Sequence, residues 1–153
     1  MIYGDPDAFA ILWDEVEGWS TQTFRNGLIG LMCGGSLIGN RLFKATLGPE
    51  LLRLSHVANS TAHLSPAAAS TWDAAAVYAL ALQQHHEETD EFKGSLLLSP
   101  WALDDAGFFV FLAVDDNGLE RLVFPGGGGT PEDMVVAPGS VGNVVRSMVE
   151  RLS

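Results

Sequence analysis

Apolar residues fall along the chain in two periods, and the first is that of a strand. From Phe9 to Trp13 every position is apolar, with Phe9, Ile11 and Trp13 on one side of an extended chain and Ala10 and Leu12 on the other. A strand apolar on both faces belongs inside a sheet rather than at its rim. Gly4-Asp5-Pro6-Asp7 reads as a turn leading into it, because Pro6 fixes φ and Asp5 can hydrogen-bond the backbone two residues on. Polarity then reverses at Asp14-Glu15-Val16-Glu17-Gly18-Trp19, so the strand runs from a core to a wet surface. Residues 24–35 supply a second strand, in which Gly27 and Gly30 suggest a bulge or a close backbone approach. Gly34-Gly35 turns the chain into residues 36–39, and residues 41–47 form a short edge strand with Lys44 as its charge.

The helical period begins at Gly48-Pro49-Glu50, where proline suits the first turn and glutamate complements the helix dipole. Leu51, Leu52, Leu54, Val57 and Ala58 give this helix its apolar stripe. A second helix is capped by Ser70 or Thr71, with Asp73 placed as a capping-box acid, and turns Val77, Leu80 and Ala81 to the core until about residues 84–88. Residues 94–98 form a short strand and Ser99-Pro100-Trp101 a turn. Residues 107–114 are a buried strand, Asp115-Asp116-Asn117-Gly118 a hairpin turn, and residues 119–124 the returning strand. Residues 125–131 read as a flexible glycine loop and 134–136 as a last strand. Ser140 caps a terminal helix to about Leu152, whose core face carries Val141, Val144, Val145, Met148 and Leu152. Strands, then helices, then strands and a helix define an α+β fold. The expectation is one domain over residues 1–153, a mainly antiparallel sheet packed against about three helices.

Charge sharpens this picture. Nineteen acids against eight bases give a net charge of −11, with six acids and four bases in residues 1–58 and thirteen and four in residues 59–153. Such a field repels phosphate backbones and attracts a basic protein partner, which argues against direct nucleic-acid binding. No apolar run spans a bilayer and no secretory signal is visible, so no membrane role is expected. The single cysteine, Cys33, fits a reducing compartment, and a cytoplasmic protein is the expectation.

Candidate chemistry is sparse. His85 and His86, followed by Glu87 and Glu88, could ligate a metal, but adjacent helical residues project about 100° apart. Gly126 to Gly129 lacks the lysine of a phosphate loop, and Cys33 stands in an apolar context unlike an activated thiolate. Acidic pairs at 14/15, 104/105 and 115/116 could do acid–base work, but adjacent residues on a strand face opposite ways, so only one of Asp14 and Glu15 could enter a shared pocket. No catalytic residue and no cofactor or metal site is therefore assigned. Four tryptophans stand as possible anchors for a partner, and Trp19 and Trp101 are the best placed because turn residues surround them.

The run Gly-Asp-Pro-x-x-Phe-Ala-Ile from Gly4 to Ile11, followed by Val16, Glu17, Trp19 and Phe24-Arg25-Asn26-Gly27, resembles a family of small bacterial immunity proteins. This is the group called immunity protein forty-two, found in polymorphic-toxin and contact-dependent growth inhibition systems. The resemblance implies a non-enzymatic protein whose partner is a cognate toxin domain, neutralised by tight binding. With the charge, it points to steric and electrostatic occlusion of a basic toxin, a nuclease being the natural case. The expected contacts are Asp14, Glu15, Glu17, Trp19, Glu87, Glu88, Asp90, Glu91, Trp101, Asp115 and Asp116. The alternatives are a small metal-dependent or hydrolytic enzyme using His85 and His86, and a generic adaptor domain.

Overall fold

The computed structural model describes residues 1–66, 70–87 and 94–153. The strand that the apolar run predicts is β2 (Phe9–Glu15), and it lies between two neighbours in an antiparallel sheet. On one side runs β1 (Ile2–Asp5), with Tyr3 opposite Ile11. On the other runs β3 (Asn26–Cys33), with Phe9 opposite Cys33 and Glu15 opposite Gly27. The expected turn at residues 4–7 is corrected by this pairing: Ile2–Asp5 is already strand, and the bend follows at Pro6–Ala8. The misreading has a cause, since Gly4 sits within the strand at φ +101°, a conformation that belongs to turns elsewhere. Asp5 does hold the bend, its carboxylate accepting the Asp7 N–H at 2.9 Å.

β3 is flanked on its other side by two short strands, β4 (Ser36–Leu37) at one end and β5 (Phe43–Thr46) at the other. Gly34 and Gly35 make the tight turn to β4 at φ +58° and +84°. α1 (Leu47–Ser60) follows β5 without a break, and α2 (Ala74–Glu87) is the second helix. Its cap is Asp73 itself, whose Oδ1 accepts the Ala76 N–H at 2.8 Å. Ser70, expected as the cap, instead donates its N–H to Asp116 Oδ1 at 2.8 Å.

A second antiparallel sheet takes the order β6 (Ser95–Leu97), β7 (Phe111–Val114), β8 (Glu120–Pro125), β9 (Pro131–Val136). Asp115 to Gly118 form the β7–β8 hairpin turn as expected. β9 begins earlier than expected, at Pro131; proline is tolerated there because this is an edge strand. Between β6 and β7 lies α3 (Trp101–Asp105), a five-residue helix too short to leave a period in the sequence. α4 (Ser140–Leu152) closes the chain. Its N-terminus is set by Gly139 at φ +79° without a side-chain cap, so Ser140 is helical rather than capping.

One hydrophobic cluster joins both sheets to α1 and α4: Phe9, Ile11, Ile29 and Leu31 from the first sheet, Leu112, Leu122 and Phe124 from the second, and Leu54, Val145 and Met148 from the helices. The other face of the second sheet lies under α2, where Val77 packs on Ala113 and Val123 and the Tyr78 ring meets Phe111 edge-on at 5.6 Å. The other face of the first sheet carries Leu12, Leu28 and Met32 half-buried and Ile2 and Lys44 exposed.

The β2–β3 junction leaves no room for a side chain at Gly27: an added Cβ would lie 2.1 Å from the Asp14 carbonyl oxygen and 2.9 Å from the Glu15 Cα. Because both obstacles are backbone, Gly27→Ala is expected to destabilise the protein by about 1–3 kcal/mol, read as a lowered denaturation midpoint in urea. An unchanged midpoint would contradict this packing.

Candidate partner-binding surface

β5 is an edge strand, and its geometry decides what it offers. Leu47 donates its N–H to the Arg25 carbonyl at 2.7 Å, and Ala45 and Phe43 stand opposite Gly27 and Ile29. In an antiparallel ladder bonding alternates from residue to residue, so Phe43, Ala45 and Leu47 bond inward to β3. The N–H and C=O of Lys44 therefore point away from β3, on the side of β5 that no strand occupies.

An exposed indole stands on each side of this strand. Trp19 ends a short 3-10 turn (Glu17–Trp19) and is 45% exposed. The turn is tied to β3 by Asn26, whose Nδ2 donates to the Trp19 carbonyl at 2.8 Å and whose N–H donates to Ser20 Oγ at 3.0 Å. Lys44 lays its Nζ over the Trp19 ring, 5.2 Å from the centroid. The two residues, with Asn26, Gly27, Ala45 and Thr46, line a hollow of about 420 Å³. Trp101, the first residue of α3, is 48% exposed and has the Arg53 guanidinium 5.3 Å from its ring centroid. A second hollow, of about 200 Å³, lies between Lys44–Thr46 and the Trp101, Ala102 and Asp105 side of α3, with Pro49 and Glu50 completing it. The hollows share Lys44, Ala45 and Thr46 of β5.

Trp101 is held in place from α1. Glu50 is only 3% exposed, and its carboxylate accepts the N–H groups of Trp101 at 3.0 Å and Ala102 at 3.4 Å, where the start of α3 lacks helical partners. One turn along α1, Arg53 pairs with Asp104 at 2.7 Å. Ser99 donates its hydroxyl to the other Asp104 oxygen and accepts the Val110 N–H at 3.1 Å. Burial is the main reason the carboxyls of Glu50 and Asp104 are both held above the usual range.

The other expected contact residues are dispersed. Asp14 lies exposed on the same cross-strand row as Leu28 and Lys44, and Glu17 precedes Trp19 in its turn. Glu15 pairs with Arg25 at 2.8 Å, and that hydrogen bond draws its carboxyl below the usual range. Glu87 ends α2, accepting from Gln83 Nε2 at 3.0 Å. Glu88, Asp90 and Glu91 lie outside the described residues. Asp115 is corrected from a surface contact to an internal one: it is 2% exposed, and its Oδ1 accepts the N–H groups of Asn117 and Leu119 at 2.9 and 3.0 Å. An Asp opening a tight turn uses its carboxylate on the turn itself. Asp116 is exposed.

Sequence reasoning missed the cap that Glu50 provides and did not place Asp105 beside β5. The one signal available for Glu50, its place in a first helical turn, led to a dipole role instead of the neighbouring helix it caps. The remaining chemistry is plain. Cys33 is fully buried, and its thiol is pushed up to about 12 by that burial. His85 and His86 lie against Phe109, with ring centroids 5.7 and 6.5 Å away. Among the described residues no three His, Cys, Asp or Glu side chains come together as a metal site. No described helix is long and apolar enough to cross a membrane.

Fold and surface together define a small α+β protein that presents aromatic and charged groups around one edge strand of a sheet. A crystal structure of CdiI from Burkholderia dolosa is similar, with 27% identity, 99% of each chain covered and a TM-score of 0.78. No curated protein sequence matches the chain. The family model of immunity protein 42 matches residues 1–151, and the chain belongs to that family.

Glu50 gives the site a pH signature. Its native carboxyl keeps the proton to higher pH than the unfolded chain does, so this group's contribution to stability falls as pH rises through the window between the ordinary and the raised value. Lowering the pH from 7.5 to 5 should therefore raise the melting temperature of the wild type relative to Glu50→Gln, measured by circular dichroism. Parallel pH curves for the two proteins would contradict it.

Proposed function

We propose that this immunity protein neutralises its toxin by stoichiometric binding in the cytoplasm, covering the toxin's working surface, and that the toxin domain is basic, as a nuclease is. Membership of the immunity protein 42 family is the observation that carries the toxin as partner. Net charge of −11 supports a basic one. The first contact surface is the β5 corner. There Trp19 and Trp101 supply rigid apolar area of the kind that dominates interface energetics. Asp14 and Glu17 flank it, exposed and without ion pairs among the described residues. Glu15 joins them through its pair with Arg25. Glu87, the acids that follow it in sequence at 88, 90 and 91, and Asp116 add negative charge that steers approach rather than anchoring. No reaction is assigned to the protein.

The test uses the toxin domain encoded beside this gene. Mixed with the purified protein, it should elute as a 1:1 complex in size-exclusion chromatography, and co-expression should restore growth to cells carrying the toxin. A combined Asp14→Asn and Glu17→Gln variant should slow association about two- to tenfold with little change in dissociation, measured by surface plasmon resonance, because rim charges act mainly on the on-rate. Absence of both complex and protection would refute the reading.

A further inference from the structure

The β5 corner holds more than exposed indoles: the hollow between β5 and α3 has the groups needed to receive one particular kind of side chain. Lys44, Glu50, Trp101 and Asp105 stand among its walls, around a volume of about 200 Å³. That volume admits a single long side chain and excludes a strand. α3 itself stands on this side of β5, so the edge is not open to a further strand; what it leaves is a slot. Two residues that line the slot bring acceptors to it: Lys44, whose carbonyl the ladder's alternation turns away from β3, and Asp105, whose side chain is exposed.

The nearby cations do not neutralise it. Arg25 is bound to Glu15 and Arg53 to Asp104, while Arg41 lies over Phe43 at 4.5 Å and the Lys44 ammonium over Trp19. Asp105 has no ion pair among the described residues. Glu50, committed to the α3 N–H groups, closes the slot with a second carboxyl. The indole of Trp101 remains half exposed beside these acceptors, and its ring already holds one guanidinium, that of Arg53.

We propose that the hollow between β5 and α3 is the anchor pocket for an arginine side chain of the toxin domain, its guanidinium paired with Asp105 and bonded to the Lys44 carbonyl, its stem packed along Trp101. Arginine fits better than lysine because its planar fork serves a carboxylate and a carbonyl together and its flat face packs on an indole. The pocket rests on the reading of the protein as a toxin-binding partner and deepens it: it assigns the central contact to a buried cation rather than to the acidic rim.

The experiment measures the dissociation constant of the toxin domain by isothermal titration calorimetry. Variants are Asp105→Asn, Asp105→Lys and Trp101→Ala, with Glu150→Gln on α4 as a remote control of equal charge change. Circular dichroism confirms that each is folded; Trp101→Phe stands in should Trp101→Ala fail to fold. The expected loss is about tenfold or more for Asp105→Asn and larger for Asp105→Lys and Trp101→Ala, with Glu150→Gln within twofold. Substituting each toxin arginine by glutamate should then reveal one whose loss of binding is specifically relieved by Asp105→Lys. If the wild type binds while the Asp105 and Trp101 variants bind equally well, the pocket is refuted and the toxin-binding reading stands. If the pairing partner proves to be lysine, or no arginine is relieved, the assignment to arginine is overturned. If the wild type does not bind at all, both fall.

Discussion

Pairing of β2 with β3 is the constraint on which the other elements depend. β3 spends one row of backbone groups on β2 and much of the alternate row on β4 and β5, so it is paired on both edges and held in register. A slip of one residue would turn Ile29 and Leu31 out of the core and Leu28 and Met32 into it. The absence of a side chain at Gly27 lets β2 and β3 meet closely there, which brings the end of β5 and the Trp19 turn to the same corner. α1 continues directly from β5 and thereby inherits its position.

From that frame the surface is assembled by a relay. Glu50 on α1 fixes the first N–H groups of α3, Arg53 one turn later grips Asp104, and Trp101 is set beside β5 although 55 residues separate it from Thr46 in sequence. The cost of burying two carboxyls there is offset by backbone donors, a hydroxyl and a guanidinium. Burying a charge to hold a five-residue helix is hard to account for by stability alone. The helix carries an exposed tryptophan, which makes precise placement of that side chain the more natural gain.

Much of the architecture was legible because it rests on local periodicity. The two-faced apolar run at Phe9–Trp13, the Gly34-Gly35 and Asn117-Gly118 turns and the α4 stripe each declare themselves within ten residues or so. α3 did not, because five residues hold barely one turn and its stabilising partner is far away in the chain. Two capping assignments failed for a related reason: Asp73 and Gly139 were competing at each site with neighbouring serines, and sequence does not show which residue leaves helical geometry. Of the expected contact residues, Trp19 and Trp101 were chosen because turn residues surround them; both are exposed, and each lines a hollow beside β5. Asp115 was misjudged because an acid at a turn looks the same whether it faces water or its own backbone. Asp105 was passed over because what distinguishes it is the slot beside it, and a slot exists only after folding.

Cys33 has a practical side. The chain's one native thiol is sealed within β3 and resists ionisation up to about pH 12. A cysteine introduced at any surface position would thus be the sole sulfur available to a maleimide dye or a spin label. The native protein is already the background-free scaffold that distance measurements on a complex require, with nothing to be removed first.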